Sequence, residues 1–111
     1  NNPGSTTNQL IMPNGSAYYY KGSVIGNNLG QDAAAWRFEG AIMRGASAAN
    51  TVLVGTPMIT RVGVYNGANG SSTWSIALSA DTTNGGLAIN VTGAANTTIR
   101  WVAKVETTEA A

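Results

Sequence analysis

The stretch that decides the fold is TWSIALSADTTNGGLAINVTG, residues 73–93. Large apolar residues stand at alternate positions in WSIAL (74–78) and again in LAINV (87–91). A period of two places one face of a strand in a core and the other toward water. Between the two segments, NGG (84–86) supplies residues that tolerate the positive φ angles of tight connections. We therefore predict two antiparallel strands joined by this turn.

The same alternation recurs outward along the chain, in WRFE (36–39) and IRW (99–101). Clusters of Gly and Asn separate the apolar segments, as in NGANG (66–70). We predict seven strands: Tyr18 to Ile25, Ala35 to Arg44, Thr51 to Val54, Met58 to Tyr65, Thr73 to Ala80, Gly86 to Thr92 and Thr97 to Thr107. Their number and spacing predict an all-β, antiparallel β-sandwich, with a meander or Greek key in its second half. The Ala-rich stretch RGASAAN (44–50) could form one helical turn, but its flanking Gly45 and Asn50 favour a loop.

The N-terminal segment, residues 1–16, differs in composition from the rest. It holds two prolines and many Asn, Gly and Ser residues around one apolar triplet, Leu10-Ile11-Met12. We predict a linker or an N-terminal arm, and two interpretations stay open: a flexible terminus, or an arm whose triplet packs on a neighbour. Residues 17–111 are predicted to form one domain, because a chain of 111 residues can bury a single core.

The composition excludes several classes of function. Gly 14, Ala 17, Thr 13, Asn 12 and Ser 8 make up more than half of the chain, which has no His and no Cys. The commonest general base, the commonest metal ligand and the thiolate nucleophile are therefore missing. Six basic residues scattered singly and a net charge of +1 do not favour nucleic acid. No apolar run approaches the ~20 residues that cross a bilayer, so we predict no membrane insertion.

The acidic residues do not favour an enzyme. A glycosidase needs two carboxylates roughly 5 to 10 Å apart, and the chain offers five acidic residues: Asp32, Glu39, Asp81, Glu106 and Glu109. Asp81 is predicted to close a turn, and Glu39 to form a solvated ion pair with Arg37. Two isolated Asp residues do not favour a calcium site. We predict no catalytic residue, no metal and no cofactor.

The aromatic residues are the remaining candidates for a binding function. Neighbouring rings in Tyr18-Tyr19-Tyr20 must point to opposite faces of a strand, so a core edge, a subunit interface and a glycan contact stay open for them. The candidate glycan contacts are Tyr19, Tyr65, Asn66 and Asn69. The three tryptophans fall on the apolar sides of their strands and are predicted to lie in the core: Trp36, Trp74 and Trp101.

The chain from residue 35 onward resembles a known family. The segments WRFEGAIMRGASAANTVLVGTP (36–57) and TWSIALSADTTNGGLAINVTGAANTTIRWVAKVETTE (73–109) are similar to a C-terminal domain at the ends of phage and prophage tail fibres and tailspikes. The resemblance implies a homotrimeric, β-rich tip on the virion, outside the cell when it acts, and we predict that each chain of it is a jelly-roll-like sandwich. It implies contact with a host-surface glycan such as O-antigen or capsule, with any depolymerase activity in an upstream domain. A stand-alone carbohydrate-binding module is the alternative function.

The last predicted strand favours a subunit contact. Apolar residues fill one of its faces, and Val102 stands on the other face between Arg100 and Lys104. A strand that is apolar on both sides is compatible with burial between its own core and a partner. The candidate trimer-interface residues are Tyr20, Arg100, Val102 and Lys104. Arg100 and Lys104 could pair with Glu39 or Glu106 of a neighbouring chain, although ordinary surface charge is equally allowed.

Overall fold

A computed structural model of the chain describes residues 10–67, 73–94 and 98–110. Within these residues the elements follow in this order: β1 (Leu10–Ile11), β2 (Ser16–Asn28), β3 (Asp32–Arg44), a 3-10 turn (Ala48–Asn50), β4 (Thr51–Asn66), β5 (Ser75–Asp81), β6 (Gly86–Thr92) and β7 (Arg100–Ala110). They form two antiparallel sheets, a small one of order β1-β6-β5 and a large one of order β4-β3-β2-β7. The all-β class is confirmed, and the pair of sheets is consistent with a β-sandwich.

The large sheet has a Greek-key path. β2, β3 and β4 pair in sequence order, and the chain then passes through β5 and β6 before β7 returns to pair with β2. Three consecutive strands with a fourth beside the first define this motif. β2 pairs with β3 along its whole length, from Ser16 opposite Arg44 to Asn28 opposite Asp32. The long register fixes which side chains share a face.

Burial alternates strictly along the centre of the large sheet. In β2 the side chains of Tyr18, Tyr20 and Val24 are buried, whereas the residues between them are exposed or only partly buried. Trp36 and Phe38 continue the buried face in β3. We call this side, which packs on the small sheet, the inner face, and the opposite side the outer face. The period of two read from the sequence therefore sets the orientation of these strands.

A tryptophan cluster joins the two sheets. Trp101 of β7 stacks on Trp36 of β3 with ring centroids 5.9 Å apart, and Trp74, just before β5, lies 5.6 Å from Trp101. Arg61 of β4 places its guanidinium 5.5 Å from the Trp36 ring and donates a 2.7 Å hydrogen bond to the Trp74 carbonyl. The prediction that the three tryptophans belong to the core is confirmed, with Trp101 partly buried at its edge.

β4 differs from the sequence expectation. Two strands were expected at residues 51–54 and 58–65, but one strand of 16 residues runs through both. The register moves from Glu39 opposite Met58 to Ala41 opposite Val54, so residues 55–57 bulge out opposite Gly40. Gly55 has φ of 75°, which a residue with a side chain rarely adopts. The bulge takes up the turn-like Gly-Thr-Pro segment without ending the strand.

The N-terminal triplet and the Ala-rich stretch also form structure. Leu10 and Ile11 pair with Leu87 and Gly86 of β6, and Met12 is 1% exposed in the core. The triplet thus packs on the chain's own small sheet. Where a loop was favoured, the Ala-rich stretch ends in the 3-10 turn, which leads directly into β4.

Candidate functional site

The outer face carries two rows of side chains that cross all four strands and include charged residues from three of them. In the register of the sheet, one row consists of Lys104, Ser23, Arg37 and Thr60, and we call it the cation row. The neighbouring row consists of Glu106, Lys21, Glu39 and Met58, and we call it the carboxylate row. Residues that are cross-strand partners lie about 4.5–5.5 Å apart at Cβ. The register therefore brings five charged side chains from three strands into one patch.

The two rows line a concavity of about 410 Å³ on the outer face. Gly22 and Phe38, which lie between the rows in the sequence, complete its lining. Gly22 is required there, because a Cβ at this position would overlap the carbonyl oxygen of Lys104 and approach the Phe38 ring. The absence of a side chain thus lets β2 and β7 approach closely beneath the charged groups.

The charges of the two rows are balanced differently. In the carboxylate row, Lys21 stands between Glu39 and Glu106, its direct cross-strand partners. In the cation row, Arg37 and Lys104 have only the hydroxyl residues Ser23 and Thr60 as row neighbours. Neither Arg37 nor Lys104 forms a hydrogen bond or ion pair in the part of the chain that the structure describes. Within the described residues, the cation row is therefore a positively charged strip whose two cations form no ion pair, although Glu39 and Glu106 stand in the next row.

Tyr19 and Glu39 form a hydrogen bond at one end of the concavity. The Tyr19 hydroxyl donates to Oε2 of Glu39 at 2.7 Å, in place of the expected ion pair between Glu39 and Arg37. This hydrogen bond is the main cause that raises the pKa of the Tyr19 phenol above its ordinary value, with desolvation and the charges of Glu39 and Glu106 adding to it. Tyr19 therefore remains a neutral donor that fixes the position of the Glu39 carboxylate.

The structure separates the predicted glycan contacts. Tyr19 lies opposite Ala41 and Tyr65 lies opposite Ala33, so eight residues of β3 separate the two tyrosines. At about 3.4 Å per residue, that spacing is roughly 27 Å along the strand. Asn66 ends β4 beside Tyr65. Asn69 lies outside the described residues.

The structure also separates the predicted interface residues. Arg100, Val102 and Lys104 alternate along the outer face of β7, where Val102 is an exposed apolar side chain. Tyr20 is fully buried and packs 6.2 Å from the Phe38 ring, measured between centroids. The register sends Tyr20 to the inner face, so its side chain belongs to the core of its own chain and not to the surface.

The largest apolar feature of the surface is β4, which sequence reasoning did not single out. Seven large apolar side chains of this strand are between 40% and 67% exposed: Val52, Val54, Met58, Ile59, Val62, Val64 and Tyr65. β4 is an outer strand of the large sheet. The available signal was the sequence TVLVGTPMITRVGVY, which is apolar at odd and even positions alike.

The carboxylates take structural positions or line the concavity. Oδ1 of Asp81 accepts hydrogen bonds from the backbone N–H groups of Thr83 and Asn84 at 2.9 and 3.0 Å, which confirms its predicted turn role. Glu39 and Glu106 lie on strands that are two spacings, about 9.6 Å, apart. Lys21 stands on the strand between them and is the direct cross-strand partner of both.

Comparison of the chain with known protein families, curated proteins and solved structures finds no match. Among the described residues, no helix has the length and apolar character needed to cross a membrane. No group of three or more His, Cys, Asp or Glu side chains in residues 10–67, 73–94 and 98–110 is arranged to hold a metal ion.

Proposed function

We propose that the chain forms the trimerising distal domain of a phage tail fibre or tailspike, on the virion and outside the cell when it acts. In this function it stabilises the fibre and contributes to binding a host-surface polysaccharide. The proposed class of protein rests on the resemblance of residues 35–109 to such domains. The proposal includes a jelly-roll-like fold for each chain. The Greek-key path of the large sheet supports that part.

The main observation in support of the proposed trimer is the exposed apolar surface of β4. Val54 and Met58 lie on its outer face, whereas Ile59 and Val64 pair with inner-face residues and are still exposed. Apolar patches of this kind mark protein contacts. The backbone edge of β4 is also free of a strand partner in the described part of the sheet, and such an edge favours association with another chain.

The two exposed faces of β4 favour a ring of three over a two-fold dimer. In a two-fold dimer one surface patch meets its own copy, whereas in a closed ring each chain meets two neighbours through two different patches. A strand near a three-fold axis can direct one apolar face to each neighbour. β4 has both faces available for this arrangement.

A stand-alone carbohydrate-binding module is the second candidate, and the outer-face concavity favours it. Its volume of about 410 Å³ and its charged and hydroxyl-bearing lining suit a polar ligand. This function does not need a trimer. The mass of the protein in solution therefore distinguishes the two candidates.

Light scattering at micromolar concentration tests the assembly. We expect a mass of three times 11.4 kDa, and persistence of the trimer in SDS without boiling. Val54→Lys and Val64→Lys place a charge on either face of β4, and each is expected to shift the mass toward one chain. Val102→Lys, at an exposed valine on β7, tests the alternative interface that the sequence suggested, and with the interface at β4 it is expected to leave the trimer intact.

The measured masses decide separately whether the protein is a trimer and whether β4 forms the interface. A single-chain mass for the wild type would overturn the trimer and leave the binding module. If Val102→Lys dissociates the trimer and the β4 variants do not, the interface lies at β7 and the role of β4 is wrong.

A further inference from the structure

The concavity is built as a ligand site in shape and in chemistry. Its volume of about 410 Å³ falls within the range of small-ligand sites. Seven of its ten lining residues have polar or charged side chains, and Met58 is the large apolar side chain that the outer face adds to them. A ligand that fits must therefore offer many hydrogen-bonding groups.

The cation row determines the charge of that ligand. Lys104 and Arg37 lie on either side of Ser23, so their attachment points are about two strand spacings, or 9.6 Å, apart. Both side chains are exposed and neither has an ion-pair partner in the described residues. An anionic group above Ser23 would receive charge-assisted hydrogen bonds from both cations. A carboxylate is the size of anion that a guanidinium can bind through two parallel N–H groups.

The carboxylate row determines the rest of the ligand. Glu106 forms no hydrogen bond in the described residues, and Glu39 is held by the Tyr19 hydroxyl on one side only. An ionised carboxylate accepts several hydrogen bonds and donates none, so these two groups require donors such as hydroxyls. A ligand with a carboxylate next to several hydroxyl groups satisfies both rows.

We infer that the concavity binds a polysaccharide containing uronic acids. The sugar carboxylate lies over Ser23 between Lys104 and Arg37, and hydroxyls of the chain donate to Glu39 and Glu106. This inference rests on the polysaccharide-binding part of the proposed function and names the class of its ligand. It moves the binding site from Tyr65 and Asn66 to the middle of the outer face, and it makes Lys104 a ligand contact rather than a subunit contact.

A second copy of the chain fits the concavity less well than a polysaccharide. The two rows have opposite charges, so a copy turned end to end would place Arg37 opposite Glu39 and Lys104 opposite Glu106. Both surfaces are concave at this place, however, and two concave surfaces leave unfilled space between them. Packing that excludes water requires complementary shapes. A polymer strand is convex and fills the concavity from one side.

The test compares polygalacturonate with the same polymer after chemical reduction of its carboxyl groups, using affinity electrophoresis of the whole chain. We expect wild type to bind the acidic polymer and to bind the reduced polymer at least about tenfold more weakly. The double variant Arg37→Gln with Lys104→Gln is expected to lose about tenfold or more in affinity. Arg100→Gln is the matched control, because Arg100 is a cation on the same face of β7 outside the concavity. It is expected to stay within about twofold of wild type.

A second variant separates binding from folding. Ser23→Glu places a carboxylate between Lys104 and Arg37, where it supplies the anion that the ligand would bring. We expect this variant to lose binding of polygalacturonate while its melting temperature stays equal to wild type or rises. Loss of binding in a chain of undiminished stability is a result that misfolding does not give.

Each outcome decides a different point. Equal binding of acidic and reduced polymer overturns the uronate class but leaves polysaccharide binding in place. If Arg37→Gln with Lys104→Gln weakens binding no more than Arg100→Gln does, the site is wrong. A change of oligomeric mass in the double variant means that a second copy of the chain occupies the face. If neither polymer binds, the inference and the polysaccharide part of the proposed function fail together, while the trimer is judged by its own mass measurement.

Discussion

The hydroxyl of Tyr20 is an unsatisfied polar group in the core. Tyr20 is fully buried, and its hydroxyl has no hydrogen-bond partner in the described residues. It lies against Gly40, opposite which the bulge of β4 replaces regular strand pairing. A Cβ at Gly40 would overlap this hydroxyl, so the glycine makes room for the tyrosine. An unpaired buried hydroxyl costs free energy that an isosteric apolar ring does not.

Tyr20→Phe is therefore expected to raise the free energy of unfolding by about 1 kcal/mol. Urea denaturation at pH 7 measures the change. Tyr18→Phe is the matched control, because Tyr18 points to the same face but keeps 7% exposure, and it is expected to change stability by less than about 0.5 kcal/mol. A clear loss of stability in Tyr20→Phe would show that the hydroxyl makes a bond that offsets its burial.

The buried Tyr20 hydroxyl also makes the free energy of unfolding depend on pH. Desolvation raises the pKa of Tyr20 in the folded state. A folded-state pKa above the unfolded value contributes stability below the unfolded pKa, about 10 for tyrosine, and this contribution is lost as the pH rises through the folded pKa. Wild type is therefore expected to lose stability above about pH 10, and Tyr20→Phe to lose less over the same range. Denaturation curves of both chains at pH 9 and pH 11 check this difference.

The turn between β5 and β6 is stabilised by one of its own residues, Asp81, and by Arg44 from a distant part of the chain. Asp81 binds the turn backbone, and the guanidinium of Arg44 reaches it from the end of β3. Nη1 of Arg44 donates to the Met12 carbonyl at 2.7 Å and to the Gly85 carbonyl at 3.3 Å, while Nε donates to Asn14 at 2.7 Å. One side chain thus connects the N-terminal segment, the large sheet and the turn of the small sheet.

Gly85→Ala tests this connection. Gly85 has φ of 78°, and a Cβ there would overlap the Arg44 guanidinium. We expect a loss of about 2–3 kcal/mol in the free energy of unfolding, of which about 1 kcal/mol is backbone strain. Gly30→Ala is the matched control, because Gly30 has φ of 77° and nothing within 4 Å of an added Cβ, so it is expected to lose only the strain part. In an Arg44→Ala background, Gly85→Ala and Gly30→Ala are expected to lower the free energy of unfolding by the same amount. If Gly85→Ala still lowers it more, the role given to Arg44 is wrong.

The sequence predicted those strands that show a clear local alternation of apolar and polar residues. β6 has the predicted bounds of residues 86–92, and β5 begins and ends within two residues of its prediction. β1 was missed, because two residues carry no period and this strand depends on β6 and on the distant Arg44. The concavity was missed for a similar reason. Its residues come from four strands, and their meeting depends on a register that alternation alone does not define.

At the scale of the whole molecule, the two sheets differ in size. The protein measures 47 × 23 × 18 Å, and the long axis suits the long strands of the large sheet. The small sheet covers the inner face around the tryptophan cluster and Leu87. It leaves the outer face and much of β4 exposed. A chain of this size buries only about two-thirds of its surface, so burial of β4 between subunits would add substantially to its stability.

The proposed assembly therefore predicts that thermal stability depends on protein concentration. Unfolding of a trimer to three separate chains becomes less favourable as the concentration rises, by mass action. For a domain of this length, a tenfold increase in concentration is expected to raise the melting temperature by about 4 °C. Val54→Lys is expected to melt at a lower temperature that is the same at all concentrations, because a monomer has no association term. Differential scanning calorimetry at two concentrations measures both chains, with Val102→Lys as the exposed-valine control that keeps the dependence. A wild-type melting temperature that does not change with concentration would mean that β4 remains exposed in solution and that the stability of the fold comes from one chain alone.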